Sequence, residues 1–261
     1  MTNFKEKYGR WAVVTGASDG IGAAFCERLA CAGLNLVLVA RGEAALIEVA
    51  TALDAHQIQH RIVALDLGQA DSMAKLAQHI EGLDIGLLVA SAGFGAIGAL
   101  IDGDAANDCN MVALNCTAVL SQCHYFGKHF AMQKRGGIIL LSSIVAFQGV
   151  PGSANYAATK AYVQSLAEGL ALELKPFGVD VLAVAPGPVN TGFAKRAGMH
   201  MGKALAAKDI AQVSLNALGK RTTTRPGWLS KLLGYSLAML PRWGRTRVLK
   251  QVMRGMAKAK L

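Results

Sequence analysis

The sequence predicts an α/β fold, a doubly wound parallel sheet with helices on both faces, and two observations predict it. Short, almost continuously apolar runs alternate with helix-length stretches from Trp11 to Ala185, as in a parallel sheet buried on both sides. A glycine-rich turn, Thr15 to Gly22 (T-G-A-S-D-G-I-G), lies between the first apolar run and the first helix. No linker or composition break interrupts this pattern. Residues 1–220 are therefore read as one domain and residues 221–261 as a basic, helical C-terminal extension.

Trp11 to Thr15 is a short apolar strand. The turn after it opens a helix running to about Ala32, Gly33 stops that helix, and Leu34 to Ala40 is the next strand. Strand, glycine turn, helix and strand form a right-handed crossover. Gly16, Gly20 and Gly22 let backbone amides approach a pyrophosphate, with Ser18, Asp19 and Ile21 between them, and the helix N-terminus favours the anion. This is the signature of the Rossmann fold and a dinucleotide. Glu43 to Ala55 is helical, His60 to Leu65 is a strand ending at Asp66, and Ala70 to Glu81 is helical. Ile85 to Ala90 is a strand followed by S-A-G-F-G. One long helix spans Asp104 to Met132, and Gly137 to Ser142 is a strand. Ser153 to Lys175 is a helix with Ser153 as its N-cap, and Val179 to Ala185 is a strand leading into Pro186 to Thr191. Thr191 to Lys208 reads as a lid over a pocket in preference to a plain surface loop.

Hydrophobic residues make up 52% of the 261 positions, which excludes a disordered chain. No apolar run is long enough for a membrane span. The polar start leads straight into a strand, so no signal peptide is expected. Five cysteines without a C-x-x-C pair suit a reducing, cytoplasmic setting. Cys109, Cys116 and Cys123 recur every seven residues, which predicts a packed stripe on the long helix, and no metal site is expected.

The stretch that carries chemistry runs from Ser143 to Lys160. Tyr156 and Lys160 are four apart, so phenol and ammonium share a helix face. A phenol near pKa 10 exchanges protons poorly at neutral pH. A neighbouring cation is expected to lower that value. Ser143, at the mouth of the sheet, offers a hydroxyl to the same substrate oxygen. Proton donor, tuning cation and polariser together suit carbonyl reduction. Alone, a Y-x-x-x-K pair is more often a solvated surface pair; its context raises it above that.

That context resembles the short-chain dehydrogenase/reductase family of compact, roughly 250-residue chains. The resemblance covers about Arg10 to Gly219. It rests on T-G-x-x-x-G-x-G at Thr15 to Gly22, Asp66 after the third strand, Ala92-Gly93, Asn115, Ser143, Tyr156 to Lys160 and the turn at Pro186-Gly187. It implies that Tyr156 is the acid/base, that Lys160 lowers its pKa and binds the nicotinamide ribose, and that Ser143 polarises the substrate. It adds Asn115 as holder of a water in a proton relay with Lys160. It further implies cofactor contacts at Asp66, Leu67, Ala92, Gly93, Pro186, Gly187, Val189 and Thr191, and a homodimer or homotetramer. The family's usual N-N-A-G is replaced by Ala90-Ser91-Ala92-Gly93, and beyond Pro226 the chain departs from the pattern.

Arg41 stands at the tip of the second strand, where a site for NAD places an acid. A guanidinium suits the 2′-phosphate of NADP, and Ser18 adds a hydroxyl, while Asp19 and Glu43 oppose. NADP is expected over NAD, the alternative being that Arg41 is a surface cation. The implied reaction is reversible hydride transfer between NADP(H) and a ketone or aldehyde, with the alcohol as its partner. Phe94, Ile97, Ile144, Phe147, Val150, Phe193, Met199 and Met201 are candidate apolar pocket residues. The competing readings are a nucleotide-sensing protein without turnover and an NAD-dependent alcohol dehydrogenase.

The net charge of +10 belongs to the tail: residues 210–261 hold 11 Lys or Arg and no acid, against 16 basic and 17 acidic before them. Gly227 to Leu240 reads as an apolar helix with Trp228, Leu232, Tyr235 and Met239 on one stripe, and Arg242 to Lys260 as a basic helix. Packing on the domain or a partner subunit, peripheral contact with an anionic membrane, and unspecific nucleic-acid binding are the three readings, in that order.

Overall fold

A computed structural model describes residues 4–192 and 204–258, without the side chains of 229, 233, 238 and 252–258. The strands are β1 (Trp11–Thr15), β2 (Asn35–Ala40), β3 (His60–Ala64), β4 (Ile85–Ala90), β5 (Gly136–Leu141), β6 (Val179–Val184), β7 (Val189–Asn190), β8 (Leu205–Ala206) and β9 (Thr223–Thr224). Seven of them form one parallel sheet in the order β3-β2-β1-β4-β5-β6-β9. Strand order reverses direction between β1 and β4, so the loops leaving these strands diverge and open a crevice at their carboxyl ends. β7 and β8 form a separate two-stranded parallel pair that brackets residues 191–204.

Alternation along the strands splits the core in two. Ala12, Val14, Leu36 and Leu38 point to one face, where α2 (Gly20–Cys31), α3 (Glu43–Leu53) and α8 (Ala207–Ala217) add Phe25, Leu29, Leu46 and Ile210. Val13, Val37, Val39 and Leu88 point to the other, against α4 (Ser72–Ile80), α6 (Ala118–Gln133) and α7 (Ala154–Leu174) through Leu76, Phe126, Phe130 and Val163. Each such Val, Leu, Ile or Phe side chain, wholly removed from water, contributes about 1.5–3 kcal/mol.

Several expectations are corrected. The polar start contains a short helix, α1 (Phe4–Tyr8), pinned because Tyr8 is buried and its hydroxyl donates to Asp180 Oδ2 at 2.8 Å. It lies so close beneath β4 that a Cβ on Gly86 would fall 1.2 Å from the Tyr8 carbonyl oxygen. The long helix is not continuous: α5 (Ala105–Val112) passes through a π-helical turn, Ala113–Thr117, into α6. A π turn takes up an extra residue and rotates the helix beyond it by about 100°. The cysteine stripe therefore breaks: Cys109 is exposed, Cys116 half-buried and Cys123 buried. Ser153 precedes α7, but its hydroxyl does not cap the helix; it donates to the Ala96 carbonyl at 3.1 Å and so ties down the loop after β4.

The sheet's last strand, β9, comes from the start of the extension, with Thr223 and Thr224 paired to Ala183 and Val184. The extension continues as α9 (Trp228–Ala238) and α10 (Arg242–Lys258), separated at Pro241. Among the described residues no helix is long and apolar enough to cross a membrane. The predicted lid falls largely outside them, as do Phe193, Met199 and Met201.

Candidate active site

The crevice between the β1 and β4 ends deepens into a cavity of about 560 Å³, within the usual range for a small-molecule site. Its wall holds Gly16, Ser18, Asp19, Gly20 and Ile21 from the glycine turn, Arg41 after β2, and Asp66 and Leu67 after β3. Ala92 and Gly93 come from the β4 loop, then Ser143, Tyr156 and Lys160, then Pro186, Gly187, Val189 and Thr191. Of the catalytic and cofactor residues singled out in the sequence, Gly22 and Asn115 stand behind this surface.

Gly22 is needed for packing: a Cβ there would sit 2.1 Å from the Gly16 carbonyl oxygen. Gly16 has φ +67° and no room for a side chain, since its Cβ would lie 2.9 Å from the Ala92 backbone. The turn thus presses against the β4 loop. Asp19 precedes α2 with no side-chain cap on the helix amides, so the N-terminus faces the cavity as a donor set for an anion. These features fit the pyrophosphate of a dinucleotide.

The loop after β4 lacks the family's paired asparagines, and Thr15 takes up part of the work. Its buried hydroxyl accepts from Ser91 N–H at 3.2 Å and Ala92 N–H at 3.3 Å. The next residues are held by Asn115, which is wholly buried in the π turn. Asn115 Oδ1 accepts from Phe94 N–H at 3.1 Å, and Nδ2 donates to the Phe94 carbonyl at 2.8 Å and to Thr159 Oγ1 at 3.0 Å. Thr159 in turn donates to the Tyr156 carbonyl at 2.8 Å. Asn115 therefore clamps the Gly93–Phe94 loop onto the helix that carries Tyr156. A Cβ on Gly93 would lie 2.9 Å from Asn115 Oδ1 and 3.5 Å from Lys160 Nζ, so this glycine keeps a close passage open.

Ser143 leaves β5 in extended conformation, and Ile144 N–H donates to the Pro186 carbonyl at 3.0 Å, joining the β5 and β6 exits. Tyr156 lies in the first turn of α7, buried, and its hydroxyl meets the Ser143 side chain. Val145 N–H donates to Ser143 Oγ at 3.4 Å. That contact uses an acceptor site on the Ser143 hydroxyl, whose own hydrogen is directed to the Tyr156 oxygen. Lys160 Nζ lies 5.7 Å from the centre of the Tyr156 ring and donates to the Leu141 carbonyl at 2.8 Å.

The electrostatics differ from the sequence expectation. Burial pushes the Tyr156 phenol up to about 12, against a smaller downward pull from the Ser143 hydrogen bond. Burial likewise drives the Lys160 ammonium down to about 8, opposed by the nearby Cys116 thiol. Loss of water dominates both shifts, because both charged forms are disfavoured in the dry pocket. At neutral pH the phenol holds its proton, as an acid must, and an ammonium with pKa near 8 is still about nine-tenths protonated at pH 7.

Sequence reasoning missed the roof of the cavity. Leu237 from α9 and Val248 and Leu249 from α10 line it. Ser230 Oγ accepts from Gly187 N–H at 3.1 Å, and the Arg225 guanidinium lies over the Phe147 ring at 4.3 Å and near Tyr235 at 6.0 Å. The first of the three readings of the extension, packing on the domain, holds for its inner side. Of the candidate pocket residues, Phe94, Ile144 and Val150 line the cavity. Ile97 packs with Val150 and Leu249 behind it, while Phe147 is turned to Arg225. Apolar periodicity marked the tail helices, but nothing local showed which side would meet the domain. Among the described residues, no group of His, Cys, Asp or Glu could hold a metal ion.

A family model for short chain dehydrogenases matches residues 10–201. A 7beta-hydroxysteroid dehydrogenase from Mediterraneibacter gnavus is 32% identical over 188 residues, 72% of either chain. A solved structure from work on 7beta-hydroxysteroid dehydrogenase stereoselectivity superposes with a TM-score of 0.88 at 27% identity, over 95% of this chain and 99% of that one. A short-chain dehydrogenase from Sphingobium yanoikuyae in complex with NADPH has a TM-score of 0.79 at 30% identity, over 88% and 94%.

Proposed function

From the premise that this chain belongs to the short-chain dehydrogenase family and is an oxidoreductase acting on CH–OH and carbonyl groups, we propose that it interconverts a bulky apolar ketone and its alcohol with NADP(H). The observation that carries the reading is the meeting of the Tyr156 and Ser143 hydroxyls at the floor of a cavity roofed by Val150, Leu237, Val248 and Leu249. An apolar roof over two converging hydroxyls suits a carbonyl on a large hydrocarbon frame. The steroid named for the relatives is a substrate of that kind.

The glycine turn and the α2 N-terminus would hold the pyrophosphate, Lys160 the nicotinamide ribose, and Arg41 the 2′-phosphate. When bound, a reduced nicotinamide supplies the hydride to the carbonyl carbon. The chain's own residues handle the oxygen. Ser143 donates to it as negative charge grows, and Tyr156 gives up its proton. Lys160 then stabilises the phenolate, the group that burial alone would penalise. The high phenol pKa makes the neutral acid the resting form, and the alkoxide, a stronger base, removes its proton. In the reverse direction Tyr156 must be deprotonated, so alcohol oxidation is expected to climb with pH more steeply than reduction.

Self-association, implied by the family resemblance, is assigned to the α6 surface, where Leu120 and Met132 are exposed. The reading is tested by following NADPH and NADH oxidation against ketones graded in size. Turnover that favours NADPH and rises from small to polycyclic ketones supports it. Silence across the panel, with cofactor binding intact, would instead favour a nucleotide-sensing protein.

A further inference from the structure

The C-terminal helix pair has two faces. Its inner face, through Ser230, Leu237 and Leu249, closes the cavity. Its outer face leaves large apolar side chains in solvent: Trp228 is 74% exposed, Tyr235 67%, Met239 87% and Trp243 64%. Trp228, Leu232 and Tyr235 of α9 and Met239 just past its end recur at i, i+4, i+7 and i+11, one stripe of a helix. So many aromatic and aliphatic side chains on one surface are more than the scattered apolar residues that surfaces normally show. Interleaved with them are the exposed cations Lys231, Arg242, Arg247 and Lys250, with Arg247 lying over the Trp243 ring at 5.0 Å.

We propose that this outer face docks on an anionic lipid bilayer. The charge distribution selects the partner. Residues 210–261 carry 11 cations and no carboxylate side chain, so a second copy of the same face would bring like charges together. An anionic surface complements them instead. The mixture of side chains also suits a headgroup boundary: indole and phenol rings at the interface, leucine and methionine below it, and Lys and Arg stems reaching outward. No described helix is long and apolar enough to span a bilayer, so the pair lies on the surface. Because Leu237 and Leu249 of the same helix pair line the cavity, docking would bring a bilayer close to a site that, on the function proposed above, takes a lipophilic substrate. The docking does not depend on the reaction proposed above and is measured without turnover.

The full-length protein should float with vesicles of phosphatidylcholine and phosphatidylglycerol, stay behind with phosphatidylcholine alone, and lose binding as salt rises. Replacing Arg247 and Lys250 with glutamine should weaken partition roughly thirtyfold, about fivefold for each cation near an anionic surface. Trp228→Glu with Trp243→Glu should abolish flotation while NADPH-dependent ketone reduction and cofactor fluorescence are retained. Failure of the wild type to float at low salt overturns the proposal, as does flotation that both double variants share with it. A drop in sedimenting mass of the W228E/W243E protein would show that a second copy covers this face, and tighter binding to random duplex DNA than to the vesicles would show a nucleic-acid face. Either result also overturns it.

Discussion

Replacing Asn115 with alanine tests whether the π turn exists to clamp the active-site loop. The substitution removes one acceptor and two donors from a wholly buried position. Thr159 keeps its bond to the Tyr156 carbonyl and loses little. The Phe94 N–H and carbonyl are left without their partner, each at a cost of about 1–3 kcal/mol where water cannot replace it. Both groups are partly buried, so some hydration relieves them, and the expected loss is about 2–4 kcal/mol. Urea unfolding of the cofactor-free protein, followed by tryptophan fluorescence, measures it as a lower midpoint at unchanged slope. Turnover should fall as well, since the freed Gly93–Phe94 loop borders Lys160 Nζ. A stability change under about 0.5 kcal/mol, the scatter of an ordinary surface substitution, would refute the clamp and leave only the water-holding role implied by the family resemblance.

Arg41→Ala should raise the dissociation constant for NADPH by about 10- to 100-fold, the value of a charge-assisted contact, and leave NADH unchanged; equal effects on both, in a fluorescence titration, would make Arg41 an ordinary surface cation. The Lys160 ammonium, lowered from 10.5 to about 8 by burial, gives a pH signature in the cofactor-free protein. Its folded pKa is below the unfolded one, so its destabilisation is complete below pH 8 and is relieved as pH climbs toward 10.5. Relative to Lys160→Met, the wild type should gain on the order of 2 kcal/mol between about pH 8 and 10, and parallel stability curves would contradict a buried, depressed lysine. Gly22→Ala, whose Cβ would collide with the Gly16 carbonyl oxygen, should weaken NADPH binding at least about tenfold or prevent folding; normal affinity in a stable variant would show that the turn has slack.

Much of this was legible because it is local or keeps a fixed order. Apolar runs such as Leu36 to Val39 announce buried parallel strands by composition alone. The glycine turn, Ser143 and the Tyr156–Lys160 pair lie at strand ends or on one helical face, so their convergence came from the topology. What the sequence concealed depends on distant partners. The π turn at Ala113–Thr117 has no local signature, since Asn115 gains its bonds from Phe94 and Thr159, remote in sequence. The five residues of α1 are held by Tyr8 on Asp180, a contact that spans most of the chain. The tail helices showed their apolar stripe clearly, yet the stripe faces outward and a second set, Leu237, Val248 and Leu249, meets the cavity. Spacing suggested a lowered phenol pKa because it showed the ammonium and not the loss of water around both groups.

The most direct measurement pairs turnover with cofactor affinity in Tyr156→Phe, which removes the hydroxyl that meets Ser143 and little else. The expected result is a loss of ketone reduction of about 10²-fold or more, the lower range for a positioned proton donor, with the NADPH dissociation constant within about twofold of wild type. Reduction at near wild-type rates, with the cofactor bound as before, would mean that the proton comes from elsewhere and that the Tyr156 hydroxyl is a structural group.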